Sequence, residues 1–187
     1  MPRPNWFLAF PIDGAFVLDL PMPPSNVRRF HPEDVHCTLA FLGGVGDAGG
    51  ERALAALDAC LAATPLESIA ISLAEVVPMG GSRQAYTALS ALLGEGRAET
   101  TARIAALRDA LTEAASGRRD VRPPKPHVSI ARPRHRAGDK DREAGLAWAA
   151  QLSLESVRAR LDRIALYTWS EARRDRLFQI VAERRLG

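Results

Sequence analysis

Two short segments of this chain carry the same pattern: HCTLAFLG, opening at His36, and HVSIARP, opening at His127. Each begins with a histidine, places a hydroxyl two residues on, fills the intervening positions with apolar side chains, and closes on a glycine or proline, as a strand does. Side chains in a strand alternate between its two faces. His36, Thr38 and Ala40 therefore share one face, with Cys37, Leu39 and Phe41 on the other. His127, Ser129 and Ala131 share a face in the same way, with Val128 and Ile130 behind them. One face of each strand suits a core; the other presents an imidazole beside a hydroxyl. A lone histidine of this kind is ordinarily structural. Two of them, 91 positions apart in a chain of 187, imply two lobes built on one plan.

The rest of the chain is read around these strands. Asn5 to Ile12 is a strand, followed by the proline-rich LPMPPSN, which cannot hold a long helix. GERALAALDACLAA places Leu54, Leu57 and Leu61 at helical spacing. LESIAISLAEVV and AYTALSALL are two strands joined through PMGGSRQ. Ile104, Leu107 and Leu111 mark a second helix from about Ala98 to Ser116, and a third falls near Asp141 to Gln151. LDRIALYTW and RLFQIVAERRL close the chain as strands. Hairpins mixed with helices predict an α+β fold with mainly antiparallel sheet.

Composition narrows the class. Hydrophobic residues make up 47%, enough for a sizeable core and too many for a disordered chain. No apolar run is long enough to span a bilayer, and the N-terminal MPRPNWFLAF lacks the order of a signal peptide, so a cytoplasmic protein without a membrane partner is expected. The two cysteines, Cys37 and Cys60, have no metal-like or redox-like spacing; Cys37 falls on the apolar face of its strand as a small core residue. A net charge of +3 tolerates an anionic ligand, and the run Arg132, Arg134, His135, Arg136 suits either a phosphate or a solvated loop.

Other chemistries fit less well. Gly44, Gly46 and Gly49 spell G-x-G-x-x-G between a strand and a helix, with Glu75 downstream, as in a dinucleotide-binding turn. Such a turn follows a strand buried on both faces, whereas this one opens with His36 and Thr38. The four histidines (His31, His36, His127 and His135) show no zinc spacing, and no G-x-S-x-G elbow marks a serine hydrolase.

With PEDVHCTLAFLGG and PPKPHVSIARP in hand, the chain resembles the 2H phosphoesterase superfamily, and within it the LigT-type RNA 2′,3′-cyclic phosphodiesterases, the 2′-5′ RNA ligase family. NWFLAFPID resembles that family's first strand and RIALYTWSEARRDRLFQIVAERRL its closing hairpin, so nearly all of residues 1–187 is covered, as one domain of two lobes. The resemblance implies two pseudo-symmetric α+β lobes with mainly antiparallel sheets flanking a cleft. It implies His36 and His127 as the catalytic pair, Thr38 and Ser129 as hydroxyl partners, and Arg132 as a substrate-binding arginine. Two departures stand out. Many relatives carry lysine where this chain has Ala40, and the usual helix before the first motif is replaced by the proline-rich stretch. Strict alternation also puts Arg132 on the core face, so it serves the site only if the strand twists or ends there.

Hydrolysis of a ribose 2′,3′-cyclic phosphate needs a base for water, an acid for the leaving ribose oxygen, and donors for the phosphoryl oxygens. Two histidines supply the first two and hydroxyls with an arginine the third; no metal or cofactor is required. The expected partner is an RNA end or nucleotide carrying a cyclic phosphate, with no obligatory protein partner. The near-symmetry makes the roles interchangeable, with His127 taken as base and His36 as acid. Another 2H reaction on a cyclic-phosphate nucleotide, reversible 2′-5′ ligation, or a non-catalytic nucleotide-binding module are the alternatives. A pure phosphate-binding module would favour arginine or lysine over paired histidines.

Overall fold

The segment WFLAFP is apolar at every position, as a strand covered on both faces must be, and all six residues are buried. It is β1 (Trp6–Pro11) of a curled sheet. The structure, a computed structural model, describes residues 3–81 and 85–187. After β1 come β2 (Val27–Arg29), β3 (His36–Gly43), α1 (Gly46–Ala63), β4 (Ile69–Met79), β5 (Ala88–Leu93) and α2 (Arg97–Ala114). β6 (His127–Pro133), α3 (Asp139–Ala149), β7 (Arg158–Leu161), β8 (Arg163–Trp169) and β9 (Phe178–Arg185) complete the order.

The strands pair in the order β7-β4-β5-β6-β3-β1-β8-β9, with β2 added against β6. Every pairing among the described residues is antiparallel. The order divides between β6 and β3 into two sets of four, each with its motif strand innermost. These are the two pseudo-symmetric lobes of an α+β fold. One residue, Asp162, joins β7 at one end of the order to β8 near the other, and only a sheet that curls round can bring those strands together. LDRIALYTW, expected as a strand, contains β8 and, in Leu161, the end of β7, a strand not expected from the sequence; the two pair in different lobes.

Alternation in β1 assigns the two faces. Trp6, Leu8 and Phe10 join Leu57 of α1, Leu111 of α2 and Trp148 of α3 in the main core. The helices therefore cover that face. Phe7 and Ala9 point the other way, into a smaller cluster with Ala165 and Tyr167. Among the described residues no helix is long and apolar enough to cross a membrane.

The proline-rich stretch, where a helix is usual, is held by polar contacts instead. A 3-10 turn at Ala15–Asp19 precedes it, and Arg29 donates to the carbonyls of Val17, Leu18 and Leu20. Trp148 Nε1 of α3 donates to the Pro21 carbonyl at 3.1 Å. β2, not expected from the sequence, then pairs with β6. Of the turn PMGGSRQ, Gly80 and Gly81 take left-handed φ of 73° and 72°, as a tight turn requires; residues 82–84 lie outside the described part.

Of the glycines in the dinucleotide-like pattern, Gly49 has a packing role, since a Cβ there would stand 2.5 Å from Val45 Cβ. Gly46 and Gly49 lie within α1, and the antiparallel pairing of the described strands offers no parallel βαβ unit. A Cβ on neighbouring Gly50 would stand 2.6 Å from Trp6 Cε3, so the helix lies on the indole only because side chains are missing. Alanine gains about 1 kcal/mol over glycine in a helix interior, but overpacking costs typically about 1–3 kcal/mol. Gly50→Ala is expected to destabilise the fold by about 1 kcal/mol net, read from the denaturation midpoint; a stabilised variant would show that the contact yields.

Candidate active site

The expected alternation fails at the same place in both motif strands. Against β1, Ala9 pairs with Thr38 but Leu8 with Ala40, leaving Leu39 as an extra residue. Against β5, Ser90 pairs with Ser129 but Leu89 with Ala131, leaving Ile130 extra. Each β-bulge reverses the phase of the residues beyond it. Ala40 therefore enters the core, while Phe41, expected on the core face, is 55% exposed. Ala131 is buried likewise, and Arg132 turns out onto the face of His127 and Ser129. The bulge, rather than a strand end at Pro133, resolves the parity of Arg132.

One register pair brings the motifs together. β3 and β6 meet antiparallel at Cys37↔Val128. Either side of that pair, the flanking residues fall as His36 across from Ser129 and Thr38 across from His127. All four, with Arg132, line a cleft of about 620 Å³.

Each imidazole is held by the carbonyl two residues before it. His36 Nδ1 lies 2.6 Å from the Asp34 carbonyl oxygen, and His127 Nδ1 lies 2.7 Å from that of Lys125. A carbonyl only accepts, so Nδ1 carries the proton in both rings and Nε2 is the bare nitrogen. Burial lowers the pKa of His36 to about 4, opposed by the Asp34 hydrogen bond and assisted by His127. Burial also lowers His127, opposed by the Lys125 hydrogen bond, with the Lys125 charge adding repulsion. Both rings are neutral at pH 7, and each has an unprotonated Nε2.

The fold is one shared with known proteins. The sequence matches the 2′-5′ RNA ligase superfamily over residues 25–173. The chain belongs to that superfamily, the 2H phosphoesterases. Among solved structures it is similar to Escherichia coli LigT complexed with 3′-AMP, at 18% identity and TM-score 0.66, covering 100% of this chain and 99% of that one. TT0787 of Thermus thermophilus gives 17% identity and TM-score 0.69 over 97% of each chain. Usb1 of Kluyveromyces marxianus gives 13% and 0.50, over 87% and 92%. No curated protein sequence matches.

As a 2H phosphoesterase the chain has site features that its motifs alone do not announce. Ser90 of β5, fully buried, shares a hydrogen bond with Ser129 Oγ at 2.9 Å. Its counterpart beside Thr38 is Ala9. The His36 ring is boxed by Phe7, Tyr167 and Phe178 at centroid distances of 4.8, 5.3 and 5.6 Å. The buried Asp34 carboxylate accepts from the backbone N–H groups of Leu177 and Phe178 at 2.8 and 2.9 Å, which fixes the last wall of that box. Only pairing partners and loop contacts supply these residues, so no motif flags them. His31 and His135 stand apart: His31 Nδ1 caps the 3-10 turn at Pro32–Asp34, and His135 is exposed on the loop after β6. Cys37 is buried as expected and Cys60 half-buried, both free. Among the described residues no group of three or more His, Cys, Asp or Glu could hold a metal ion.

The neutral His36 leaves a signature in stability. An unfolded histidine protonates near 6.5, whereas folded His36 waits until about 4. Between these values the unfolded state binds more protons, so stability is full above 6.5 and falls as pH drops towards 4. The loss from this group is at most about 3 kcal/mol. His36→Gln is expected to melt with a shallower pH dependence between 6.5 and 4. Equal slopes in the two proteins would contradict the depressed value.

Proposed function

We propose that this 2H phosphoesterase hydrolyses the terminal 2′,3′-cyclic phosphate of RNA to a 2′-phosphate, using His36 and His127 as a metal-independent acid–base pair. The observation that carries the reading is the pair of rings, each with Nδ1 tied to a backbone carbonyl and Nε2 bare, across one cleft from Thr38 and Ser129. One Nε2 takes a proton from water as its oxygen attacks phosphorus. The other, protonated, gives its proton to the ribose O3′ as the P–O3′ bond breaks, and the phosphate remains on O2′. Thr38 and Ser129 donate to the phosphoryl oxygens as charge builds there. Ser90 supports this: when its hydroxyl donates to Ser129 Oγ, the Ser129 proton is left for substrate. A ribose 5′-hydroxyl in place of water would give a 2′-5′ linkage by the same steps.

His36 resists charging more than an ordinary histidine, so the free protein must draw its acid's proton with help from the bound phosphate, which favours the charged forms. That demand falls harder on His36, the acid of the sequence reading.

An RNA ending in a 2′,3′-cyclic phosphate, offered with excess EDTA, is expected to yield the 2′-phosphate. His36→Ala and His127→Ala should each lose about 10²–10⁴-fold, the usual worth of a positioned acid or base. Loss of wild-type activity on chelation with recovery on adding a divalent ion, or near-normal turnover of either folded variant, overturns the mechanism.

The pH profile follows from the depressed values. kcat/KM reports the free protein, in which both histidines titrate below 6.5. Its bell is expected on the acid side, declining about tenfold per unit once the acid loses its proton, while kcat peaks at higher pH. The two apparent values belong to the coupled pair, and the limb that vanishes in each variant assigns base and acid. A profile flat from about pH 5 to 9, with chemistry limiting, would remove these histidines from proton transfer.

A further inference from the structure

Beyond the bulge of β6 the cleft runs into a cluster of arginines. Arg28 of β2 and Arg132 of β6 are direct register partners on adjacent antiparallel strands. Like charges placed directly opposite one another destabilise a sheet. The Arg28 guanidinium reaches on to the loop after β8, donating to the carbonyls of Arg173 and Asp175 at 3.4 and 2.8 Å. Arg173 lies over the Trp169 ring at 3.9 Å, and its buried Nε has no hydrogen-bond partner among the described residues.

These charges are not balanced from within the described part of the protein, where every ion pair uses other arginines. Burial makes the Arg132 charge costlier, and Arg173 and Arg28 add repulsion. The three line a hollow of about 310 Å³ together with Arg134 and His135, and none of the described residues lining it carries a carboxylate. Arg132 and Arg173 line the catalytic cleft as well, so the hollow continues that cleft. Along β6, Arg132 lies about two strand steps beyond Ser129, roughly 7 Å, on the scale of one nucleotide along a strand.

We infer that Arg28, Arg132 and Arg173 form a second phosphate subsite, which holds the phosphate one nucleotide before the reacting one. The inference rests on the proposed reaction at His36 and His127 and adds the substrate class: a nucleotide carrying two phosphates, as in an RNA strand, in preference to a simple nucleoside cyclic phosphate. The repulsion within an unpaired arginine trio is relieved by a phosphate that accepts charge-assisted hydrogen bonds from several guanidinia at once.

Three substrates test this on the full chain: adenosine 2′,3′-cyclic phosphate, its 5′-phosphorylated form, and a dinucleotide ending in a 2′,3′-cyclic phosphate. The second phosphate should raise kcat/KM by about 10- to 100-fold, the worth of a charged hydrogen bond or two. An advantage for both larger substrates assigns the subsite to the strand; one confined to the 5′-phosphorylated nucleotide assigns it to a terminal phosphate. Arg28→Gln and Arg173→Gln keep length and polarity, the latter also a planar group over Trp169, while removing charge. Each should shrink the advantage several-fold, chiefly through KM, and together they should bring the ratio near one. Binding of adenosine 3′,5′-bisphosphate against adenosine 3′-phosphate, by calorimetry, reads the subsite without turnover. If nothing is hydrolysed but the bisphosphate binds tighter and the advantage needs the arginines, the proposed reaction falls and the subsite stands. No advantage in either measurement, or an advantage that survives both substitutions in folded protein, overturns the subsite.

Discussion

The site depends on a single antiparallel contact, Cys37 against Val128, where β3 and β6 meet. That register sets His36 across from Ser129 and Thr38 across from His127, so four polar side chains from distant parts of the chain face one volume. A slip of one residue would turn each motif's polar set into the core. The buried, apolar identities of Cys37 and Val128 oppose that slip, because the opposite phase would expose them and bury two imidazoles. The chemistry is therefore anchored by the hydrophobic partners behind it.

Repetition explains the frame, and its breakdown explains the specialisation. Both motif strands carry a bulge after the hydroxyl residue, and both histidines lean on the carbonyl two residues back. The copies then diverge. Ser90 supports Ser129 where Ala9 stands beside Thr38. The bulge presents Phe41 in one lobe and Arg132 in the other. His36 is enclosed by three aromatic rings; the His127 side has the cationic Lys125 as its neighbour. A nearly symmetric pair is thus set in two unlike surroundings, which suits the proposed reaction, whose entering and leaving groups differ.

Much of this was legible in the sequence because strand alternation is local. His36 with Thr38 and His127 with Ser129 share a face as period two requires, and Ile104, Leu107 and Leu111 are buried on α2 as their spacing predicts. Alternation misplaced Ala40, Phe41 and Arg132 because a bulge is a property of two strands, invisible in either alone. β2 escaped notice because three residues carry no period, and Asp162 gives no turn signal to divide β7 from β8. Arg28 and Arg173 come together beside Arg132 through pairing and loop contacts that no spacing encodes.

The Asp162 joint has a mechanical consequence. The lobes meet through hydrogen bonds at β3 and β6, and they are also tethered covalently where β7 runs into β8 with one residue between. A tie of that length leaves no slack for the halves to swing apart as rigid jaws. Two attachments, one in the middle of the sheet order and one between strands toward its ends, thus hold the width of the groove, which leaves side chains and loops as the parts free to adjust around a ligand.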